Sequence, residues 1–121
     1  MKIKTFVFNS FQVNTYLIQN NSKEAIIIDP ACYSEAEKEE LKNYIKQEEL
    51  TVKMALNTHA HIDHILGNSF IKKTFNCPLL AHKDSASYYK QAPSYASVFK
   101  LETSDIGEPD GELIEGEDIE F

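Results

Sequence analysis

Asn57-Thr58-His59-Ala60-His61-Ile62-Asp63-His64 is the stretch on which the reading of this chain turns. Three of the four histidines fall inside it, with Asp63 among them. Val52-Lys53-Met54-Ala55-Leu56 precedes it and reads as a short buried strand. Ile65-Leu66-Gly67-Asn68-Ser69-Phe70-Ile71 follows and reads as a helix. The cluster therefore stands where a strand ends and a helix begins, the place where open α/β sheets bind ligands. In an extended loop, residues two apart project to the same side, ~7 Å apart at Cα. His59 and His61 can then converge on one cation at nitrogen–metal distances of ~2.0–2.1 Å. Ile62 turns inward as an anchor. Asp63 and His64 open the helix, where they face a second cation or orient the ligands of the first. Imidazole mixed with carboxylate suits zinc, iron or manganese, whereas an all-oxygen set suits magnesium or calcium. The competing reading is a polar surface loop, and three histidines with an aspartate at the spacing H-x-H-x-D-H weigh against it. The spacing also differs from H-E-x-x-H, which sets two histidines one helical turn apart.

Working outward, Lys2 to Phe8 reads as a strand with Ile3, Thr5 and Val7 on one face and Lys2, Lys4, Phe6 and Phe8 on the other. Phe11 to Gln19 reads as the next strand, and Asn20-Asn21-Ser22-Lys23 as a turn. Ala25 to Asp29 is an apolar strand stopped by Pro30, which lacks an amide donor. Asp29 then lies at a strand end, on the same rim as the histidines. Ser34-Glu35-Ala36-Glu37 is a capping box that starts a helix running to about Gln47, with Leu41, Tyr44 and Ile45 as its apolar stripe. The helix after the histidines runs to about Thr74, and Cys77 to Ala81 is a further short strand. Gly107 to Gly116 is acidic and turn-rich, and Asp118 to Phe121 reads as the start of a strand. Strands alternating with helices predict a partly parallel sheet with helices packed on it.

The 121 residues are enough for one small domain, and 42% apolar residues make a core feasible. A formal charge of −7 argues against nucleic acid or an anionic membrane as partner and is accounted for by solubility. No apolar run is long enough to span a bilayer. Lys2 and Lys4 interrupt the N-terminus, so no signal peptide is expected and the reading is cytoplasmic. Cys32 and Cys77 read as reduced thiols outside the histidine cluster.

Thr58-His59-Ala60-His61-Ile62-Asp63-His64 resembles the signature of the metallo-β-lactamase-fold superfamily, nearest to its glyoxalase II-like (hydroxyacylglutathione hydrolase-like) branch. Phe11-Gln12-Val13-Asn14-Thr15-Tyr16-Leu17, Ile26-Ile27-Ile28-Asp29-Pro30 and Leu80-Ala81-His82-Lys83-Asp84 support the likeness. The resemblance implies an α/β fold: the N-terminal half of an αββα sandwich, a mixed sheet with helices on its outer face. It implies His59, His61, Asp63 and His64 as metal ligands, with Asp63 also catalytic. Asp29 and Thr58 would support that loop by hydrogen bonds, and His82 and Tyr88 are candidate residues on the substrate side. Ala31 stands where such families often carry Gly. Packing against the sheet is the competing role for Tyr88, Tyr89, Tyr95 and Phe99.

The family pattern needs further ligands beyond Phe121: a third His for the first metal, a bridging Asp and a last His. The expectation is thus a single, truncated domain over residues 1–121, inactive alone. The implied chemistry is hydrolysis of a thioester or another activated ester or amide. Two zinc ions, with iron or manganese as substitutes, would make hydroxide available at neutral pH by lowering the pKa of water to ~7. The implied partners are a small-molecule substrate and either the missing C-terminal half or a second copy. His61 occupies the place where di-iron oxygen and nitric-oxide reductases carry Glu, and His64 directly after Asp63 favours the glyoxalase-like set over the lactamases. Two alternatives remain open: a single-iron persulfide dioxygenase of the same fold, and a non-catalytic half-domain that binds or assembles.

Overall fold

Alternating burial organises the first two strands of the computed structural model, which describes residues 1–101 and 106–121. β1 (Lys2–Phe8) buries Phe6 and Phe8 and leaves Ile3 and Val7 exposed. β2 (Val13–Gln19) pairs antiparallel to it, with Phe8 opposite Val13, and buries Val13, Thr15, Leu17 and Gln19. β3 (Glu24–Ile28) is antiparallel to β2. From there the sheet becomes parallel, through β4 (Thr51–Leu56), β5 (Leu79–Ala81) and β6 (Gly111–Glu112), in the spatial order β1-β2-β3-β4-β5-β6. The mixed sheet expected from the strand–helix alternation is what forms.

α1 (Glu35–Gln47) starts at the Ser34 capping box: Glu37 N–H donates to Ser34 Oγ at 3.1 Å, and Ser34 N–H donates to Glu37 Oε1 at 3.3 Å. Leu41 and Ile45 are buried against Phe6, Phe8, Leu17, Ile27 and Ile71, so α1 and α3 (Asn68–Phe75) cover one face of the sheet. A second core cluster lies beneath the histidine loop. Ala60, Ile62, Ile65 and Ala81 meet Tyr89, Ala92 and Ala96 of α4 (Ala86–Val98) there.

Three readings of the sequence are corrected. The second strand begins at Val13 rather than Phe11. Asn9 to Gln12 form a turn with left-handed Asn9 (φ 53°) and Gln12 (φ 56°), and Asn9 Oδ1 accepts the Phe11 N–H at 2.9 Å. The helix after the histidines is two helices, α2 (Ile62–Ile65) and α3, broken at Leu66–Gly67. Gly67 N–H donates to Pro30 O at 2.8 Å, and a Cβ there would lie 2.6 Å from Cys32 Sγ and 2.9 Å from Pro30 O. Only glycine allows the chain to press so closely on residues 30–32. Asp118 to Phe121 form no strand. Instead Leu113 N–H donates to Ala81 O at 2.9 Å and Asn20 Nδ2 donates to Phe121 O at 3.1 Å. The acidic 107–116 stretch contributes the two-residue β6. Its neighbour Asp110 accepts the Leu79 N–H at 2.9 Å and the Lys72 ammonium at 3.1 Å.

Candidate metal centre

The parallel strands β3 and β4 end side by side, and both ends feed the site. Asp29 follows β3 in a left-handed conformation (φ 54°), a region that short polar side chains tolerate. Its N–H donates to Leu56 O at 2.8 Å, and its carbonyl accepts the Thr15 hydroxyl at 2.6 Å. Thr15 Oγ1 also accepts the Ala31 N–H at 3.1 Å. The buried Asp29 carboxylate is thus aimed across at the loop that follows β4.

Its hydrogen bonds fix two imidazoles. Asp29 Oδ1 accepts the Thr58 N–H at 2.7 Å, and Oδ2 accepts the Thr58 hydroxyl at 2.6 Å. Oδ2 also lies 3.2 Å from His64 Nδ1. A carboxylate only accepts, so Thr58 gives its proton to Asp29 and is left to accept from His59 Nδ1 at 3.0 Å. With Nδ1–H of both His59 and His64 engaged in this way, the Nε2 atoms carry the free lone pairs. His64 Nε2 lies 3.6 Å from Asp63 Oδ2. Two ligand atoms on one tetrahedral ion with bonds of ~2.0–2.1 Å stand about 3.3 Å apart, so this pair fits a shared ion.

The extended loop alternates as its spacing requires: Ala60 and Ile62 are buried, His59 and His61 are not. The His59 ring centroid is 4.7 Å from that of His61 and 3.9 Å from that of His64. Burial lowers the His59 pKa, with the His64 imidazole acting in the same direction, which favours the neutral form that can ligate. Ligand atoms of Asp29, His59 and His64 lie within 4.8 Å of one another. On distance alone Asp29 is a third ligand to a single ion. Both of its oxygens already accept hydrogen bonds from Thr58 and His64, which tie it to the loop. A cleft of ≈ 390 Å³ opens over His59, Asp63 and His64 between Tyr16 and Gln12.

Tyr88 stands beside the cluster, its ring 5.6 Å from that of His61. His82 does not join it: His82 Nδ1 accepts the Asp84 N–H at 3.1 Å, capping a 3-10 turn, and the ring lines a separate cleft with Lys90 and Glu112. Cys32 and Cys77 are buried free thiols, and burial pushes Cys32 up to about 12, so it stays protonated. The sequence reading missed the polar groups beneath the loop. Asn57 and Asn68 are buried and exchange hydrogen bonds at 3.1 and 2.9 Å. The Tyr89 hydroxyl donates to Asn57 Oδ1, and Asn68 Nδ2 donates to Gly107 O at 3.2 Å. Asn9 Nδ2 donates to the carbonyls of Ala31 at 3.0 Å and Asp63 at 2.9 Å. Asn57, directly before the motif at the end of an apolar strand, was the available signal.

Three imidazoles and a carboxylate thus lie together at the parallel strand ends, and comparison identifies the fold that carries them. The family model described as "Metallo-beta-lactamase superfamily" matches residues 9–121. The chain belongs to the metallo-beta-lactamase superfamily. Among curated relatives, hydroxyacylglutathione hydrolase GloC of Haemophilus influenzae is 31% identical over 111 residues, covering 91% of this chain and 50% of that protein. The chain spans about half the length of the curated relatives it matches. Among solved structures, the BLEG-1 B3 metallo-beta-lactamase matches with a TM-score of 0.78 and 27% identity, over 94% of this chain and 54% of that one. The di-iron-bound form of TTHA1623 matches with a TM-score of 0.79 and 24% identity, over 98% and 57%, a likeness of fold. The metallo-beta-lactamase fold thus accounts for the mixed sheet, its helices and the loop at the strand ends. Among the described residues, no helix is long and apolar enough to cross a membrane.

Proposed function

We propose that this chain supplies the first part of the active site of a metal-dependent hydrolase that cleaves a thioester or other activated ester or amide of a small molecule. The observation that carries this reading is the relay from Asp29 through Thr58 to His59, and from Asp29 to His64, which leaves the Nε2 atoms of both rings free, that of His64 3.6 Å from Asp63 Oδ2. His59 and His61 would hold one ion, and Asp63 and His64 a second, with zinc in both places and iron or manganese as substitutes. Bound there, the metal supplies a Lewis acid and water acidified to near-neutral pKa. The protein's own contribution is orientation. Asp29 and Thr58 fix the tautomer and direction of His59 and His64, Asn9 holds the Asp63 backbone, and Ile62 anchors the loop to the core. Hydrolysis adds water across the carbonyl carbon–sulfur, carbon–oxygen or carbon–nitrogen bond, giving a carboxylic acid and a thiol, alcohol or amine. The Haemophilus relative's name, a hydroxyacylglutathione hydrolase, supports acyl-group hydrolysis over the other chemistries of the superfamily.

A reconstitution assay tests the proposal. Alone, the chain should cleave an acyl thioester no faster than free zinc in buffer. Joined to the C-terminal half of a relative, it should gain metal-dependent thioesterase activity. His61→Ala should then remove that activity, lowering the rate by at least ~10²-fold. Consumption of oxygen with a persulfide by a one-iron form would replace this reading with the dioxygenase. An inert reconstituted protein with its metals bound would leave a non-catalytic module.

A further inference from the structure

We infer that the cleft beside His61 selects a neutral aryl or bulky apolar acyl group, so that the substrate is an aryl or other bulky apolar acyl thioester or ester. The inference rests on the hydrolase reading above and names its substrate class.

Four aromatic side chains, Phe11 from the turn before β2 and Tyr88, Tyr95 and Phe99 from α4 and its C-cap, meet at this cleft of ≈ 340 Å³. Each remains 40–49% exposed. Phe11 and Phe99 pack edge to face at 5.4 Å and 82°, and Tyr88 lies against His61. The fold does not need this face of α4, because Tyr89, Ala92 and Ala96 on the other side already seat the helix in the core. The site is also built rather than incidental. Asn9 accepts the Phe11 N–H through Oδ1 and donates to the Asp63 carbonyl through Nδ2, so one side chain ties the aromatic wall to the histidine loop. The volume falls at the lower end of the ~300–1,000 Å³ of small-molecule sites, which are mostly apolar with a few placed polar groups.

Charge decides what fits. His61 and Asp63 are the titratable side chains that line the cleft besides the two tyrosines, and no lysine or arginine lines it among the described residues. An anionic acyl group finds no cationic side chain on this wall among the described residues. An aryl ring instead finds ring edges and faces at the 4.5–7 Å spacing that aromatic pairs prefer. The scissile carbonyl would stand toward His61 and Asp63, with the apolar acyl group against Tyr95 and Phe99.

Binding to the chain stripped of metal with EDTA tests this apart from catalysis. Two probes are titrated and followed by NMR chemical shifts: the phenylacetyl and acetyl thioesters of N-acetylcysteamine. The phenylacetyl probe should bind about tenfold or more tighter than the acetyl one, the scale of burying one ring. Shifts should map to residues 11, 88, 95 and 99, and both Phe99→Ser and Tyr95→Ser should abolish the preference with unchanged thermal unfolding. Equal affinity for the two probes, or a preference that survives both variants, overturns the assignment. Selective binding paired with no cleavage by the reconstituted enzyme would sink the hydrolase reading and leave this one. Cleavage with no such preference would do the reverse.

Discussion

Asp29 is the residue on which the geometry of the centre depends, because its two oxygens receive Thr58 and His64 and, through Thr58, set His59. Replacing it with Asn tests the carboxylate alone, since Asn has the same shape and tolerates the same left-handed backbone. The amide nitrogen cannot accept, so either the Thr58 N–H loses its partner or the Thr58 hydroxyl and His64 Nδ1–H both do. Asp29→Asn should weaken zinc binding ~10–100-fold with the fold retained, read by competition with a chromophoric chelator. Unchanged affinity would make Asp29 a turn residue only. The clustering of His59, His61, Asp63 and His64 was legible in the sequence because H-x-H-x-D-H is short and its side-chain directions follow from an extended loop. Asn9, Thr15 and Asn68 were not, since each reaches the site through a tertiary hydrogen bond from a turn, a strand or a helix remote in sequence.

Among the elements, α1 shows how a local signal acquires a long-range role. Glu37 closes the capping box with Ser34, and it also accepts the Tyr33 N–H at 2.9 Å and the Asn9 N–H at 2.6 Å. Ser34→Ala should cost about 1 kcal/mol as the loss of a cap. Glu37→Ala should cost about 2 kcal/mol, since it also leaves the Asn9 amide without its acceptor. Urea unfolding of the two variants checks the order; equal losses would show that the Asn9 bond contributes nothing. The box and the helix it starts were readable from four residues. The break between α2 and α3 was not, because Gly67 is required by the closeness of Cys32 and Pro30, a contact that no local pattern records. Nor was β6, whose two residues pair with β5 without an apolar run to mark them. Asp118 to Phe121 carry a strand-like alternation but gain no ladder partner among the described residues.

For the molecule as a whole, the sheet face opposite α1 leaves Ile3 62% and Val7 59% exposed, with Tyr16 beside them. Exposed apolar residues on a sheet with an open β1 edge invite association. Sedimentation equilibrium should show a mass that rises with concentration, and Ile3→Lys with Val7→Lys should return the chain to a monomer. A compact monomer at all concentrations, unfolding cooperatively, would show that this face needs no cover. The central claim is that the histidine loop is a metal site with its ligands divided between two ions, and zinc titration calorimetry at neutral pH tests it most directly. The chain should bind zinc weakly, because His59 and His61 give one ion two protein ligands where catalytic sites usually have three. His59→Ala and His61→Ala should each reduce that binding further, and His82→Ala should leave it unchanged. Tight binding that survives His59→Ala and His61→Ala, or that disappears with His82→Ala, would contradict the account.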